Sequence, residues 1–317
     1  LPRQLISLVN IFGSAAAGFL VSRYLLDFSA ITSLIIAVAF TATSVGVSVQ
    51  VWKQSEALVT PQGNMLLDLA EIDDICAVVL MALLFTILPA MHQGAEQGHI
   101  LLNVGTTAGW FTLKFGAFLL FCLFFGKYLE QPISRFLRRF EQDEGYMLSI
   151  TGFGFVIAAF AGMLGFSLAI GAFFAGLLFS RDPEAVRDEA PFVPIYDFFS
   201  PFFFIVIGLG IDPAVLLTSL ELGLVLLVFA ILAKLLTAGL PAWALRDSGT
   251  GLLVGASMVP RAEITMVIME QGTHLGDWAV TEEVFSAMVI ACAATCLLGP
   301  IAIHTLLNGR FNPRETS

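Results

Sequence analysis

Leu67-Asp68-Leu69-Ala70-Glu71-Ile72-Asp73-Asp74-Ile75-Cys76-Ala77-Val78-Val79 places two adjacent carboxylates inside a mostly apolar run from Met65 to Leu88. A run of that length crosses a bilayer as a helix. Ionisable groups at bilayer depth are costly unless they face a cavity or a partner, so Asp73 and Asp74 are candidate functional residues. The rest of the chain has the same character. Its 317 residues are 57% hydrophobic and only 13% charged, against about one-quarter charged in soluble domains. The chain reads as an all-α polytopic membrane protein. Its apolar runs are too long for barrel strands and do not alternate as those do.

Ten membrane segments are expected, at about 5–26, 31–51, 64–89, 102–128, 146–164, 166–180, 191–211, 219–245, 250–271 and 282–307. The basic residues orient them. Arg3, Lys53, Lys127, Arg135, Arg138, Arg139, Arg181, Arg187, Arg246, Arg310 and Arg314 fall on the side that holds Leu1, and only Arg23 falls opposite. This 11-to-1 bias marks the Leu1 side, and with it the C-terminus, as cytoplasmic. Arg135, Arg138 and Arg139 read as solvated topology determinants. The net charge of −10 is spread over short loops and names no partner; no nucleic acid is expected.

Depth can then be compared at about 1.5 Å per residue. Asp73 and Asp74 lie roughly ten residues into their helix, about 15 Å deep. Lys234 lies at a similar depth in its own segment, too far from either end for its stem to reach water. Arg261 and Glu263 in the ninth segment, and Thr41, Thr43 and Ser44 in the second, fall in the same layer. Polar groups from four segments thus converge near the midplane.

Two of those segments read as interrupted. The second carries Thr41-Ala42-Thr43-Ser44-Val45-Gly46, and the ninth carries Gly255-Ala256-Ser257-Met258-Val259-Pro260-Arg261-Ala262-Glu263. Pro removes an amide, and Ser and Thr can serve the freed backbone groups. Broken helices meeting at the midplane mark the ion sites of secondary transporters. The first three segments run plain, broken, carboxylate-bearing; the last three run lysine-bearing, broken, plain, from the opposite side. That order fits an inverted repeat. Between the trios, Gly154, Ala158 and Gly162, then Gly171, Ala172, Ala175 and Gly176, form small-residue faces without midplane charge. They suit a scaffold or dimer surface, or packing within the chain.

Together, Thr41-Ala42-Thr43-Ser44-Val45-Gly46-Val47-Ser48, Ile72-Asp73-Asp74, Lys234 ahead of Pro241, and Val259-Pro260-Arg261-Ala262-Glu263 resemble the monovalent cation:proton antiporter-2 family, and most nearly its bacterial sodium/proton antiporter branch. The resemblance spans essentially the whole chain. It implies thirteen helices, three of them ahead of Leu1, which itself is not a Met start. It implies a core domain with two crossed broken helices, expected at 1–129 and 212–308, a scaffold or dimerisation domain at 130–211, and a cytoplasmic tail at 309–317. The core would move as an elevator, within a homodimer in the inner membrane. By motif, Asp74 would be the principal cation- and proton-binding carboxylate, and Asp73 would pair with Lys234. Thr43 and Ser44 would offer oxygens near the ion, and Arg261 and Glu263, with Thr41, would support the broken helices. Two aspartates with this lysine imply electrogenic exchange. Glu71 departs from the pattern; three residues before Asp74, it is expected to form an ion pair with Lys114 or Arg261 or to tune the site.

The expected function is exchange of a monovalent cation, Na+ first and K+ or Li+ as alternatives, for H+. A hard cation prefers oxygen ligands, and two carboxylates kept from water can be neutralised by that cation, by protons, or by Lys234. The pair should titrate as one coupled unit. A K+ efflux relative, a sodium-coupled symporter of an organic anion, and a channel or non-transporting sensor are the rival readings. No cofactor is expected, and no nucleophile, metal cluster or phosphate loop points to an enzyme. Cys76, Cys122, Cys292 and Cys296 read as packing residues. His92, His99, His274 and His304 read as solvent-facing.

Overall fold

The computed structural model describes residues 2–97, 100–129, 132–133, 136, 143–179, 193–245 and 248–309. Arg135, Arg138, Arg139, Arg181, Arg187, Arg246, Arg310, Arg314 and His99 lie outside the described residues, as does most of the 130–146 loop. Every regular element among the described residues is a helix. Among the described residues, six helices are long and apolar enough to cross a membrane: Gln4–Leu25, Ala30–Gln54, Pro61–His92, Gly105–Leu129, Leu220–Leu245 and Glu282–Leu307.

Helix α1 (Pro2–Leu20) runs on through a wider π-wound turn to Leu25. Ser29 caps α2 (Ala30–Thr41) by accepting the Thr32 amide. After α3 (Val45–Gln54) comes α4 (Pro61–Gln97), which carries the two aspartates and bears Pro89 inside it. Helix α5 (Ile100–Phe124) is followed by α6 (Asp143–Met163), α7 (Leu168–Phe179) and α8 (Val193–Leu209). A short α9 (Pro213–Thr218) leads into α10 (Leu220–Lys234). The chain winds as a π-turn over Leu235–Gly239 before α11 (Leu240–Leu245). Pro241 supplies the cause: it lacks the amide that would bond the carbonyl of Thr237, so the ladder slips. Helices α12 (Ser248–Ser257), α13 (Glu263–Leu275) and α14 (Glu282–Leu307) complete the described chain.

These helices group into two compact units, Leu1–Leu84 with Ile211–Ser317, and Phe85–Gly210. The span 85–129, placed with the core from sequence, falls in the second of these units.

In the first unit, α1 packs on α2 and α10, α13 packs on α2, and α14 packs on α3, α10 and α12. Its core joins Ile6, Trp52, Met65, Leu69, Leu253, Met258 and Ile303. Helices α11 and α12 approach so closely that a Cβ on Gly251 would come within 2.5 Å of the Trp243 Cβ.

The second unit is built on phenylalanine. Phe111, Phe115, Phe118, Phe166 and Phe174 stack edge and face, with ring centroids 5.2 to 6.5 Å apart. Helices α6 and α7 form a hairpin around Gly165, whose φ of +91° suits glycine. The small residues are used within the chain here: Gly171 lies so close to α6 that a Cβ on it would sit 2.5 Å from the Ala158 Cα. Ala172 and Gly176 remain exposed.

Large apolar side chains such as Phe12, Leu113, Leu120, Phe155, Leu209 and Leu297 are exposed. In water such a surface would aggregate; against lipid tails it carries no penalty.

Candidate ion-binding site

Both interrupted segments break where the residues dictate. Helix α2 ends at Thr41, and Ala42 and Ser44 are extended, with ψ of 146° and 93°. The Thr and Ser side chains here compete with the helical ladder for backbone partners. In the ninth segment α12 ends at Ser257 and α13 resumes at Glu263. Pro260 cannot donate, and it drives Val259 out of the helical region.

A helix that ends inside a bilayer strands its last four carbonyls. Here side chains take all four. Thr41 Oγ1 donates to the Val38 carbonyl at 2.7 Å. Thr265 Oγ1 and Arg261 Nη1 donate to the Ala39 carbonyl at 3.2 and 3.3 Å. Arg261 Nη1 also donates to the Phe40 carbonyl, and Lys234 Nζ donates to that of Thr41 at 2.8 Å. Two cations therefore sit at the negative end of a half-helix, where the peptide dipoles favour positive charge. The Arg261 guanidinium also lies 4.7 Å from the Phe40 ring centroid.

The two breaks touch. The Ser44 amide donates to the Pro260 carbonyl at 2.7 Å, and Ser44 Oγ donates to Glu263 Oε2 at 2.9 Å. Ser48 Oγ closes the end of α12 by donating to the Ser257 carbonyl, while Trp52 Nε1 donates to Ser257 Oγ.

Asp73 lies against this junction, fully buried. Its Oδ2 accepts from Lys234 Nζ at 3.0 Å, Thr43 Oγ1 at 3.2 Å and Asn10 Nδ2 at 2.5 Å. Asp74 is half-buried. Oδ1 of each aspartate is buried without a hydrogen-bond partner among the described residues. Asp73, Glu263 and Lys234 all lie within electrostatic reach of Asp74. One carboxylate is thus pinned by three donors on one oxygen, and its neighbour keeps an oxygen open.

The nine residues singled out from sequence do not all fall together. Asp73, Asp74, Thr43, Ser44, Thr41, Lys234, Arg261 and Glu263 surround the break junction. Glu71 does not: it is exposed, whereas Arg261 is fully buried and its terminal nitrogens donate to carbonyls, so the expected Glu71–Arg261 pair is absent. Position 71 is some 200° around the helix from Asp73, which turns it away from the buried face. Arg261 also acts more widely than expected: it holds the end of α2, the first broken helix, and reaches the Ala230 carbonyl of α10.

Three side chains went unnoticed in the sequence. Asn10 of α1 donates to Asp73, and its own carbonyl accepts from Thr237 at 3.0 Å, with Ser14 at 3.4 Å. The available signal was Asn10 itself, a single amide in the apolar stretch Ile6–Leu20. Polar groups at that depth need a partner.

Residues 4–309 match the family described as "Sodium/hydrogen exchanger, transmembrane". The chain belongs to this family. Among curated relatives, the Na(+)/H(+)-K(+) antiporter GerN of Bacillus cereus is 29% identical over 261 residues, covering 82% of this chain and 64% of GerN. The high-affinity Na(+)/H(+) antiporter NhaS3 of Synechocystis is 23% identical over 309 residues, covering 96% of this chain and 61% of NhaS3. The K(+)/H(+) antiporter subunit KhtU of Bacillus subtilis is 26% identical over 297 residues, covering 91% of this chain and 69% of KhtU. The chain therefore spans 61% to 69% of the length of these relatives. At the break junction of this sodium/hydrogen exchanger family member, carboxylate, hydroxyl and carbonyl oxygens gather, and such oxygens are the ligands that hard cations prefer.

Proposed function

We propose that this chain forms the ion-translocating part of a secondary transporter that exchanges a monovalent cation, Na+ first, for H+. The observation that carries the reading is the pairing of a pinned Asp73 with an open Asp74 at the junction of two helix breaks. Asp74 offers its free oxygen to the cation, with Thr43 and Ser44 supplying hydroxyls nearby. In the empty state a proton on Asp74 and the Lys234–Asp73 pair balance the charge. When the cation enters, Asp74 loses its proton and Asp73 turns its unpartnered Oδ1 to the cation, so Lys234 loses its counter-ion and releases a proton as well. More protons than cations then move per cycle, so exchange is electrogenic.

The finer architecture belongs to the same proposal. Ten segments form an inverted-repeat antiporter fold with two crossed broken helices. The Leu1–Leu84 and Ile211–Ser317 unit is the moving core. The Phe85–Gly210 unit is the scaffold and the homodimer contact. The Leu1 side and the C-terminus face the cytoplasm. K+ for H+ is a second reading, favoured by the similarity to KhtU, a K(+)/H(+) antiporter subunit.

Asp73→Asn tests the electrogenic part. It keeps an acceptor for Lys234 but removes a charge. In the full-length protein on solid-supported membranes, the cation-triggered current falls steeply while proton-coupled exchange in proteoliposomes persists. An unchanged current contradicts the role given to Asp73 and Lys234.

A further inference from the structure

Three donors meet on Asp73 Oδ2, and they are not alike. Lys234 brings a charge that the exchange cycle removes, and Thr43 stands in the break after α2. Asn10 comes from α1, which runs unbroken through this depth. Its amide does not titrate, so it donates in every step of the cycle. Asn10 is fully buried, as is Ser14 one turn further along α1.

The Asn10 amide fits only one way round. Thr237 Oγ1 donates to Asn10 Oδ1 at 3.0 Å, and Ser14 Oγ donates to the same oxygen at 3.4 Å. With Oδ1 held by hydroxyls, Nδ2 is left for Asp73. The reverse orientation would set a carbonyl oxygen against a carboxylate. Thr237 is brought there by the π-wound turn Leu235–Gly239, which follows Lys234 directly. Single π-wound turns inside a helix are frequent at functional sites. Helix α1 makes room for this one with glycine: a Cβ on Gly13 would collide with the Thr237 methyl group. One stretch of chain thus supplies both the lysine on Asp73 and the hydroxyl that fixes the amide beside it.

We propose that Asn10, locked in place by Thr237, is a positioning residue that sets the cation affinity of the ion site. This rests on the exchange reading above, in which Lys234 gives up its proton as the cation binds. At that step Asn10 and Thr43 are the donors left on Oδ2. They keep Oδ1, which has no partner among the described residues, available to the cation. Without Asn10 the carboxylate is held by one hydroxyl and turns about its terminal bond, a torsion with broad, shallow wells. The loss falls on binding of the cation rather than on movement of the loaded carrier.

Cation-driven proton exchange by the full-length protein in proteoliposomes, read over a range of Na+ concentration, tests the proposal. Asn10→Leu keeps most of the volume and removes the amide. Its KM for Na+ rises about tenfold, as expected for one hydrogen bond to a charged group, and its maximal rate changes far less. Thr237→Val touches neither Asp73 nor the cation, yet raises the KM by a smaller factor. The double variant has the KM of Asn10→Leu, because Thr237 acts through the amide. The proposal is overturned if Asn10→Leu keeps the wild-type KM or loses only maximal rate. It is equally overturned if Thr237→Val leaves the KM unchanged, a result that stands even where Asn10→Leu does not fold, or if the two substitutions multiply independently. A wild type that exchanges neither Na+ nor K+ removes the exchange reading itself, and this assignment with it. An unchanged KM in the variants of an active wild type removes this assignment alone.

Discussion

Asp74→Ala abolishes cation/proton exchange in proteoliposomes of the full-length protein while leaving the fold intact. The residue is half-buried and has an oxygen without a partner among the described residues. Its loss therefore breaks no protein hydrogen bond there. The cation, by contrast, loses its nearest full negative charge. Removing one partner of a buried charge pair costs about 3–5 kcal/mol, which corresponds to roughly two to four decades in affinity. Asp73 does not replace it alone, because Lys234, Thr43 and Asn10 hold its Oδ2 and Lys234 already offsets its charge. Exchange at wild-type rate in Asp74→Ala, read by dequenching of a pH dye after a Na+ pulse, removes Asp74 from the mechanism.

Arg261→Met destabilises the protein itself. Methionine keeps much of the volume and loses every donor. The Ala39 carbonyl still has Thr265, and the Ala230 carbonyl lies within a helix, but the Phe40 carbonyl loses its side-chain donor. A stranded buried carbonyl costs about 1–3 kcal/mol, and the lost cation–π contact with Phe40 adds up to about 2 kcal/mol. A total on the order of 3 kcal/mol is expected. The detergent-solubilised variant melts well below wild type, and Arg261→Lys recovers part of the difference. An unchanged melting curve for Arg261→Met shows that the guanidinium does not hold the end of α2.

The legible parts of this molecule were those that contradict their surroundings. Asp73, Asp74, Lys234 and Arg261 are charges inside apolar runs, and Pro260 is a helix breaker inside one. Each violates the pattern around it, so each could be placed at a depth and compared across segments. The helices followed because apolar runs of membrane length leave the backbone no other way to satisfy its polar groups. What stayed hidden depends on partners that a sequence does not display. The acceptors for Arg261 are backbone carbonyls of Ala39, Phe40 and Ala230, which any residue could have supplied. Asn10 is 63 residues from Asp73 and carries no charge to draw attention. The Glu71–Arg261 pairing was misjudged because spacing along one helix tells which residues share a face with Asp74, not which way that face turns. The π-wound turn after Lys234 was implicit in Pro241, yet its effect on Thr237 emerges only with the helix in place.

The central claim is that a cation and a proton compete for Asp74. The most direct test counts protons as the cation binds. Sodium is titrated into the purified full-length protein, in buffers of different ionisation enthalpy and over a range of pH. Each sodium ion bound should release protons, its affinity should weaken as pH falls, and Asp74→Ala should show neither effect. Sodium binding with one affinity at every pH, and no proton released, contradicts the account.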